Sequence, residues 1–303
     1  MRRFKKIKND FIYHFIRGII AFFNFIPRTG AIFIGAMLGF WGYLIFRKDR
    51  YKANRHLIAA YGDALSQTER DRIICQMFIN FGKNAADVIR FRKYYRSEIM
   101  PLVAVEGLEH FDVVYNRGKG MIAVTGHIGN FELIAAHMAA LGYKVAVIGR
   151  EVYDKRLNYL LVKNREAMGA VNIDTKESVK KLVRLLKEGY ALGALIDTDS
   201  IRVRTMFVPF LGRLSNTPVG QSILGLRTGA GFVPLACVRD GKRYRIIIKP
   251  EITIERTDNF EKDVYNITRL CSEALETIIN EYREQWIWLH NRWQTRPAEP
   301  IIE

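Results

Sequence analysis

The sequence has little cysteine and lacks the short motifs of several enzyme classes. Its cysteines lie far apart and form no C-x-x-C pair: Cys75, Cys237 and Cys271. This pattern argues against a disulfide framework and a cysteine zinc site, and it fits reduced thiols facing the cytosol. The sequence also has no G-x-S-x-G elbow and no H-E-x-x-H pair. We therefore expect no enzyme nucleophile, no bound metal and no cofactor.

Acidic residues are also scarce relative to basic ones. The chain has 31 Asp and Glu against 47 Lys and Arg, which gives a formal net charge of +16 at pH 7. This excess implies an anionic partner: nucleic acid, an anionic membrane surface, a phosphorylated substrate or an acidic protein. We expect no nucleic acid, because the sequence has no recognisable binding module for it.

An uncharged apolar run occupies residues 29–46 near the N-terminus. As a helix it would be about 27 Å long, close to the ~30 Å hydrocarbon core of a bilayer. Ala31, Gly35 and Gly39 repeat every four residues, a spacing that allows close helix packing in membranes. We therefore interpret residues 1–48 as a basic N-terminus and membrane anchor. A core helix of a soluble protein is the alternative, and a cleaved signal peptide fits less well.

Basic residues flank the apolar run on both sides, which leaves its topology open. Those before it are Arg2, Arg3, Lys5, Lys6 and Lys8, and a second group lies at positions 47–50. A single span would place one group outside, against the positive-inside tendency. An interfacial helix, or a hairpin turning at Pro27, would keep both groups inside. We expect attachment to the inner membrane with the main domain on its cytoplasmic face.

Residues 49–303 read as one α/β domain. Apolar strand-like runs alternate with helical patterns, which predicts a mostly parallel central sheet flanked by helices. A capping box at Ser66 opens a long helix that reaches Arg90. We also expect a helix that starts at residues 216–218 and ends near Gly229, and a final helix over about 260–293.

A histidine and a glutamate follow one of the buried strands. Residues 125–132 read TGHIGNFE and come directly after the apolar run at 121–124. His127 can act as a general base near neutral pH, and Glu132 can hold its tautomer and stabilise the imidazolium. A base without an enzyme nucleophile suits direct transfer, in which the substrate hydroxyl itself attacks. A buried histidine paired structurally with a carboxylate is the alternative.

Four ordered blocks give the chain a family resemblance. TGHIGNFEL is similar to the H-x4-E/D block of the lipid A biosynthesis acyltransferases, within the lysophospholipid acyltransferase superfamily. VPFLGR at 208–213 with NTP at 216–218, LRTGA at 226–230 with VPL at 233–235, and QWIWLHNRW at 285–293 resemble three further blocks of that family. The resemblance covers nearly the whole chain, including the N-terminal apolar anchor.

The resemblance implies an O-acyltransferase that moves a fatty acyl group from acyl carrier protein to a hydroxyl of a phosphorylated glycolipid, as in late lipid A biosynthesis. It implies His127 as general base and Glu132 as its partner. For the mechanism we further expect backbone N–H groups at Gly129–Asn130 to stabilise the oxyanion. Residues implied to bind substrate are Arg150, Arg213, Asn130 and Asp197. Arg213 also precedes the expected helix at 216, a natural anion site.

One departure and several rival functions stay open. Where the family has an Asp-Gln pair, this chain reads Asp197-Thr198-Asp199-Ser200. A metal at Asp197 and Asp199 is the minor alternative there. The acceptor could also be a lysophospholipid, an inositol mannoside or an aminoacyl lipid, and a non-catalytic anionic-lipid-binding protein is possible. We expect most of the tryptophans near the C-terminus to pack in the core.

Overall fold

The computed structural model describes residues 2–297, with side chains from residue 7 onward, so the basic side chains of Arg2, Arg3, Lys5 and Lys6 lie outside it. Its helices are α1 (Arg2–Phe25), α2 (Arg28–Ile45), α3 (Arg47–Tyr61), α4 (Gln67–Tyr94), α5 (Leu108–Tyr115), α6 (Phe131–Ala140), α7 (Lys155–Arg165), α8 (Val179–Lys187), α9 (Gly220–Thr228) and α10 (Phe260–Glu281). Its strands are β1 (Val103–Glu106), β2 (Met121–Thr125), β3 (Val145–Gly149), β4 (Val171–Asp174), β5 (Ala191–Leu195), β6 (Thr205–Phe210), β7 (Arg213–Pro218), β8 (Gly231–Asp240) and β9 (Arg243–Ile248).

A seven-stranded sheet forms the centre, in the order β1-β9-β8-β2-β5-β3-β4. Strands β8, β2, β5, β3 and β4 are parallel, whereas β9 runs antiparallel to β8, and β1 is parallel to β9. This confirms the predicted mostly parallel sheet flanked by helices. Thr125 at the end of β2 lies opposite Leu195 at the end of β5. The loops that follow these two strands therefore leave the sheet side by side at its carboxyl edge.

Two apolar clusters cover the sheet. One contains residues of α3, α4, α8, α9 and α10, and the other contains residues of α5, α6 and the end of α4. Trp286 and Trp288 are fully buried in the first cluster, and their rings meet edge to face with centroids 4.5 Å apart. Core packing of these tryptophans is thereby confirmed.

A two-stranded hairpin replaces the start of the helix expected at residues 216–218. Those residues lie in β7, which pairs antiparallel with β6, and α9 begins only at Gly220. The hairpin turn is Leu211-Gly212, whose φ angles of 48° and 73° are those of a two-residue type I′ turn. Asn216 does not cap a helix because its side chain donates to Asp199. The expected position of Arg213 just before a helix is therefore wrong.

The final helix is also shorter than expected. α10 ends at Glu281, and a short 3₁₀ turn leads into an extended segment. This segment leaves the helical path because Trp286 forms a backbone bridge with Ile128, beside His127. The edge strand β4 was absent from the prediction. It is short and carries two polar residues, Asn172 and Asp174, which give it no clear apolar pattern.

The small residues of α2 face α4 of the same chain. A Cβ at Gly35 or Gly39 would collide with the backbone of α4 at Gly82 and Phe78. The close packing expected from the four-residue spacing therefore occurs within the chain.

In the described part of the chain, α2 is the one helix long and apolar enough to cross a membrane, a test that core helices and signal sequences also pass. Only 11% of it is buried, which does not fit a core helix.

Candidate active site

His127 lies in a tight loop between β2 and α6. Its neighbours Gly126 and Gly129 allow the loop to approach two other parts of the chain. A Cβ at Gly126 would press on the Asp197 carboxylate, and one at Gly129, where φ is +57°, would collide with the carbonyl of Cys237. These glycines therefore let the loop lie directly against β8 and the end of β5.

The carboxylate that contacts the His127 imidazole belongs to Asp197. His127 Nδ1 lies 2.8 Å from Asp197 Oδ1, and the His127 backbone N–H donates to Asp197 Oδ2 at 2.7 Å. Trp286 Nε1 donates to the same Oδ2 at 2.8 Å. Asp197 is completely buried. An ionised Asp197 accepts a hydrogen bond from the Nδ1–H of the neutral ring, so the other ring nitrogen, Nε2, keeps its lone pair for a substrate.

Glu132 does not contact His127, which corrects the predicted pairing. Its oxygens accept from Arg165 Nε at 2.8 Å and Nη2 at 2.5 Å. Glu132 lies in the first turn of α6, and the ion pair joins α6 to the end of α7. The physical reason is competition: a guanidinium offers two parallel donors to Glu132, whereas the imidazole is already held by Asp197.

The electrostatics of the pair favour a charged carboxylate next to a basic imidazole. Burial alone would lower the pKa of His127, but the Asp197 carboxylate more than offsets this effect and raises the pKa above 6.5. Burial alone would raise the pKa of Asp197, but His127, His290 and the Trp286 hydrogen bond hold it well below its usual range. Asp197 is therefore ionised at any physiological pH, and it strengthens His127 as a base.

A second histidine, His290, packs against His127. The two ring centroids are 4.2 Å apart. Burial and the neighbouring His127 lower the pKa of His290 to about 4, which keeps its ring neutral. Its Nε2 is buried without a hydrogen-bond partner in the described chain. His127, His290 and Asp197 could together ligate a metal, since their ligand atoms lie within 4.8 Å of one another. Both Asp197 oxygens already accept hydrogen bonds, which fits a hydrogen-bonded pair better.

An apolar groove leads from His127 toward the N-terminal helices. Its walls come from α1, α2 and α4, and His127, Phe131, Leu289 and His290 lie at its inner end. Its volume of about 690 Å³ falls within the range of roughly 300–1,000 Å³ seen for ligand pockets. The lining is aliphatic and aromatic apart from the two histidines and Asp49. The groove therefore suits a hydrocarbon chain whose reactive end meets His127.

The other predicted site residues are dispersed. Asn130 is 2% exposed and donates to Tyr244 at 3.0 Å, so it supports the loop and does not face a substrate. The backbone N–H of Gly129 donates to Gln285 and that of Asn130 donates to Cys237, so neither is free to bind an oxyanion. Arg150 is exposed at the end of β3, and Arg213 is exposed at the start of β7. Asp197, predicted to bind substrate, is instead the partner of His127.

Sequence reasoning missed Arg165 and His290 and gave Asp197 a different role. The position of Asp197 directly after a predicted strand was the available signal for it, because parallel strands bring their carboxyl ends to one edge. His290 lies within the QWIWLHNRW block, and no feature of the sequence alone sets it apart from its neighbours there. Arg165 lies within a predicted helix and carried no distinguishing pattern.

Comparison with known proteins gives one family over nearly the whole chain. A family model described as "Bacterial lipid A biosynthesis acyltransferase" matches residues 3–295. The chain is 23% identical over 285 residues to the lipid A biosynthesis palmitoleoyltransferase of Escherichia coli K12, covering 93% of this chain and 90% of that protein. It is 26% identical over 258 residues to the lauroyltransferase of the same strain, covering 84% and 82%.

A further relative is named for a different lipid. The chain is 20% identical over 229 residues to a phosphatidylinositol mannoside acyltransferase of Mycobacterium tuberculosis, covering 74% of this chain and 71% of that protein. All three relatives are named acyltransferases. The residues that the family model matches include the His127 loop, the groove-lining parts of α1, α2 and α4, and the C-terminal segment that carries His290. This chain is an acyltransferase and belongs to the bacterial lipid A biosynthesis acyltransferase family.

Proposed function

We propose that this protein transfers a fatty acyl group from acyl carrier protein to a hydroxyl of a phosphorylated glycolipid in lipid A biosynthesis. The observation that carries the proposal is the His127–Asp197 pair at the inner end of the apolar groove. A general base at the end of a hydrocarbon-lined groove suits a reaction between an acyl thioester and a lipid hydroxyl.

In the proposed reaction, His127 Nε2 removes the proton from the acceptor hydroxyl as its oxygen attacks the thioester carbonyl. Asp197 stabilises the resulting imidazolium and holds the ring in place. The carbon–sulfur bond then breaks, and the proton passes from His127 to the departing thiolate. The negative charge on the carbonyl oxygen develops beside the amino end of α6, where the helix dipole favours it.

Glu132 has a positioning role in this proposal. Burial lowers the pKa of His127, Asp197 raises it, and the charge of Glu132 raises it less than Asp197 does. With Arg165 it lies at one wall of a mainly apolar cavity, which β2, β3, β5 and α6 also line. The ion pair would fix this wall beside the acyl group. Arg150, exposed on the same sheet edge, remains a candidate contact for a phosphate or for the donor.

Membrane attachment would deliver the acceptor. Exposed apolar side chains on α2 include Phe33, Leu38 and Trp41, and the same helix lines the apolar groove. We propose that α2 anchors the protein in the inner membrane and that the sheet domain lies on the cytoplasmic face. The net charge of +16 would attract both the anionic leaflet and the acidic carrier protein.

The test is acyl transfer by the purified full-length protein. It would be supplied with acyl carrier protein thioester and an under-acylated, phosphorylated lipid A precursor, and mass spectrometry would report the acyl mass gained. His127→Ala should lower turnover by about 10²- to 10⁴-fold without unfolding the protein. His110→Ala, on the distant helix α5, is the matched control. Near-normal turnover by His127→Ala would refute the assignment of the base.

A second acceptor is favoured by one specific observation. The phosphatidylinositol mannoside acyltransferase of M. tuberculosis matches 74% of this chain. An inositol mannoside would use the same base and the same groove with another headgroup. The competing lipids should be offered in the same assay, and a higher kcat/KM for the inositol mannoside would favour this alternative.

A further inference from the structure

A basic cleft lies between α3, the start of β7 and the C-terminal segment. Four cationic side chains line it: Lys52 and Arg55 from α3, Arg213 from β7, and Arg296 from the C-terminal segment. Its volume is about 790 Å³, and neutral polar groups such as Asn291 and Thr295 complete the walls. We refer to this space as the basic cleft.

The four cations of the basic cleft are unpaired among residues 7–297. No aspartate or glutamate lines the cleft, and none of the four forms an ion pair within that range. Other arginines of the chain, such as Arg117 and Arg165, have carboxylate partners at 2.5–2.7 Å. Like charges that converge repel one another, so the cleft would gain stability when an anion binds.

The walls of the basic cleft are fixed by hydrogen bonds. Asp199 accepts from the backbone N–H of Thr295 at 2.7 Å, from its hydroxyl at 2.9 Å, and from Asn216 at 2.9 Å. This ties the C-terminal segment to the β6–β7 hairpin. On the opposite wall, His56 Nδ1 lies 2.8 Å from the carbonyl oxygen of Trp288, and its ring meets Trp293 edge-on at 5.4 Å. The cations are therefore held on a rigid frame.

The C-terminal segment connects the basic cleft to the candidate base. Trp286 donates to Asp197, His290 packs on His127, and Trp293 and Arg296 line the cleft. One short segment therefore contacts the His127–Asp197 pair and also lines the basic cleft, while His127 itself lines the apolar groove. An amphiphile with a phosphate carries the two kinds of group that these two spaces suit.

We propose that the basic cleft binds a phosphate ester of the acceptor glycolipid and so presents the acceptor hydroxyl to His127. The inference rests on the proposed acyl transfer. Arginine suits a phosphate because its planar donors bind two oxygens at once. The acceptor is favoured over the donor by position, because α3 begins at Arg47, two residues after the apolar helix α2 ends. The cleft therefore starts where lipid headgroups would lie.

The test removes two charges from the cleft with Arg55→Gln/Arg213→Gln. The matched control, Lys180→Gln/Lys187→Gln, removes two exposed charges from α8. The double cleft variant should raise KM for the phosphorylated acceptor at least about tenfold, because each lost contact is a charge-assisted hydrogen bond. KM for the acyl donor should change less than about twofold. With a dephosphorylated acceptor, wild type, cleft variant and control should have the same KM.

Direct binding separates this inference from the proposed function. Quenching of tryptophan fluorescence by glucosamine phosphate, with glucosamine as the blank, reports the cleft in the detergent-solubilised protein whether or not transfer occurs. Saturable binding that weakens at least about tenfold in the cleft variant supports the inference. An inactive wild type that still binds the phosphate in this way would contradict only the proposed function. A rise in donor KM, or equal binding by wild type and cleft variant, would overturn the cleft assignment.

Discussion

Two carboxylates flank His127, and they do different things. Asp197 is fully buried and contacts the imidazole and the backbone of His127. Glu132 lies only five residues from His127 in the sequence, yet it turns away to pair with Arg165. The partner of His127 thus comes from the neighbouring strand β5, which Asp197 follows. Glu132, although closer in the sequence, forms an ion pair that joins α6 to α7.

The surroundings of the two carboxylates explain the division. The Asp197 carboxylate accepts hydrogen bonds from His127 and Trp286, which orient it toward the imidazole. Glu132 forms an ion pair with the Arg165 guanidinium, and the positive charge of Arg165 offsets most of the effect of the Glu132 charge on more distant groups. Removing Asp197 should therefore change the catalytic properties of the protein, whereas removing Glu132 should change mainly its stability.

Asp197→Asn should have the largest effect. We expect kcat to fall by about 10²- to 10⁴-fold, because an amide no longer stabilises the imidazolium and can hold the wrong tautomer. The acid limb of the pH–rate profile should also move to lower pH. Asp197 raises the pKa of His127, the base must be neutral, and activity is lost as pH falls through that pKa. Loss of the Asp197 carboxylate lowers the pKa of His127 and therefore moves the acid limb to lower pH.

Profiles of kcat/KM against pH for wild type and Asp197→Asn would measure this shift. Glu132→Gln serves as the control, because its acid limb should stay close to that of the wild type. If Glu132→Gln moved the acid limb further than Asp197→Asn, Glu132 and not Asp197 would be the carboxylate that sets the pKa of His127.

Glu132→Gln should act mainly on stability. Glu132 and Arg165 are each about one-fifth exposed, so loss of one partner leaves the other charge poorly solvated. We expect a loss of about 1–3 kcal/mol in the free energy of unfolding, and a smaller loss of kcat than in Asp197→Asn. Denaturant unfolding of Glu132→Gln, Arg165→Gln and the double variant would check this. The double variant should cost less than the sum of the two single variants, and simple additivity would argue against the ion pair.

The sequence predicted the fold and the base better than it predicted the contacts of the base. Alternating apolar runs and helical patterns identified the parallel strands, because both depend on local periodicity. The partner of His127 depends on strand order, and β5 lies beside β2 although two other strands, β3 and β4, separate them along the chain. The hairpin at Leu211-Gly212 was missed because it depends on positive φ angles in a segment that also resembles a helix start. The basic cleft joins α3, β7 and the C-terminal segment, which are far apart in the chain.

Trp286→Phe should have the smallest effect and gives the sharpest control. It removes one hydrogen-bond donor from Asp197 but keeps most of the buried aromatic surface. The Asp197 carboxylate is then held less firmly but still contacts His127. Trp288→Phe is matched to it, because Trp288 is equally buried and its Nε1 donates to the carbonyl oxygen of Arg283 instead. Both variants should lose about 1 kcal/mol of stability with their hydrogen bond. Only Trp286→Phe should also lower kcat, by roughly two- to tenfold, because the carboxylate beside His127 then loses a partner. Equal kcat values for the two variants would show that the tryptophan stabilises the core and does not act through Asp197.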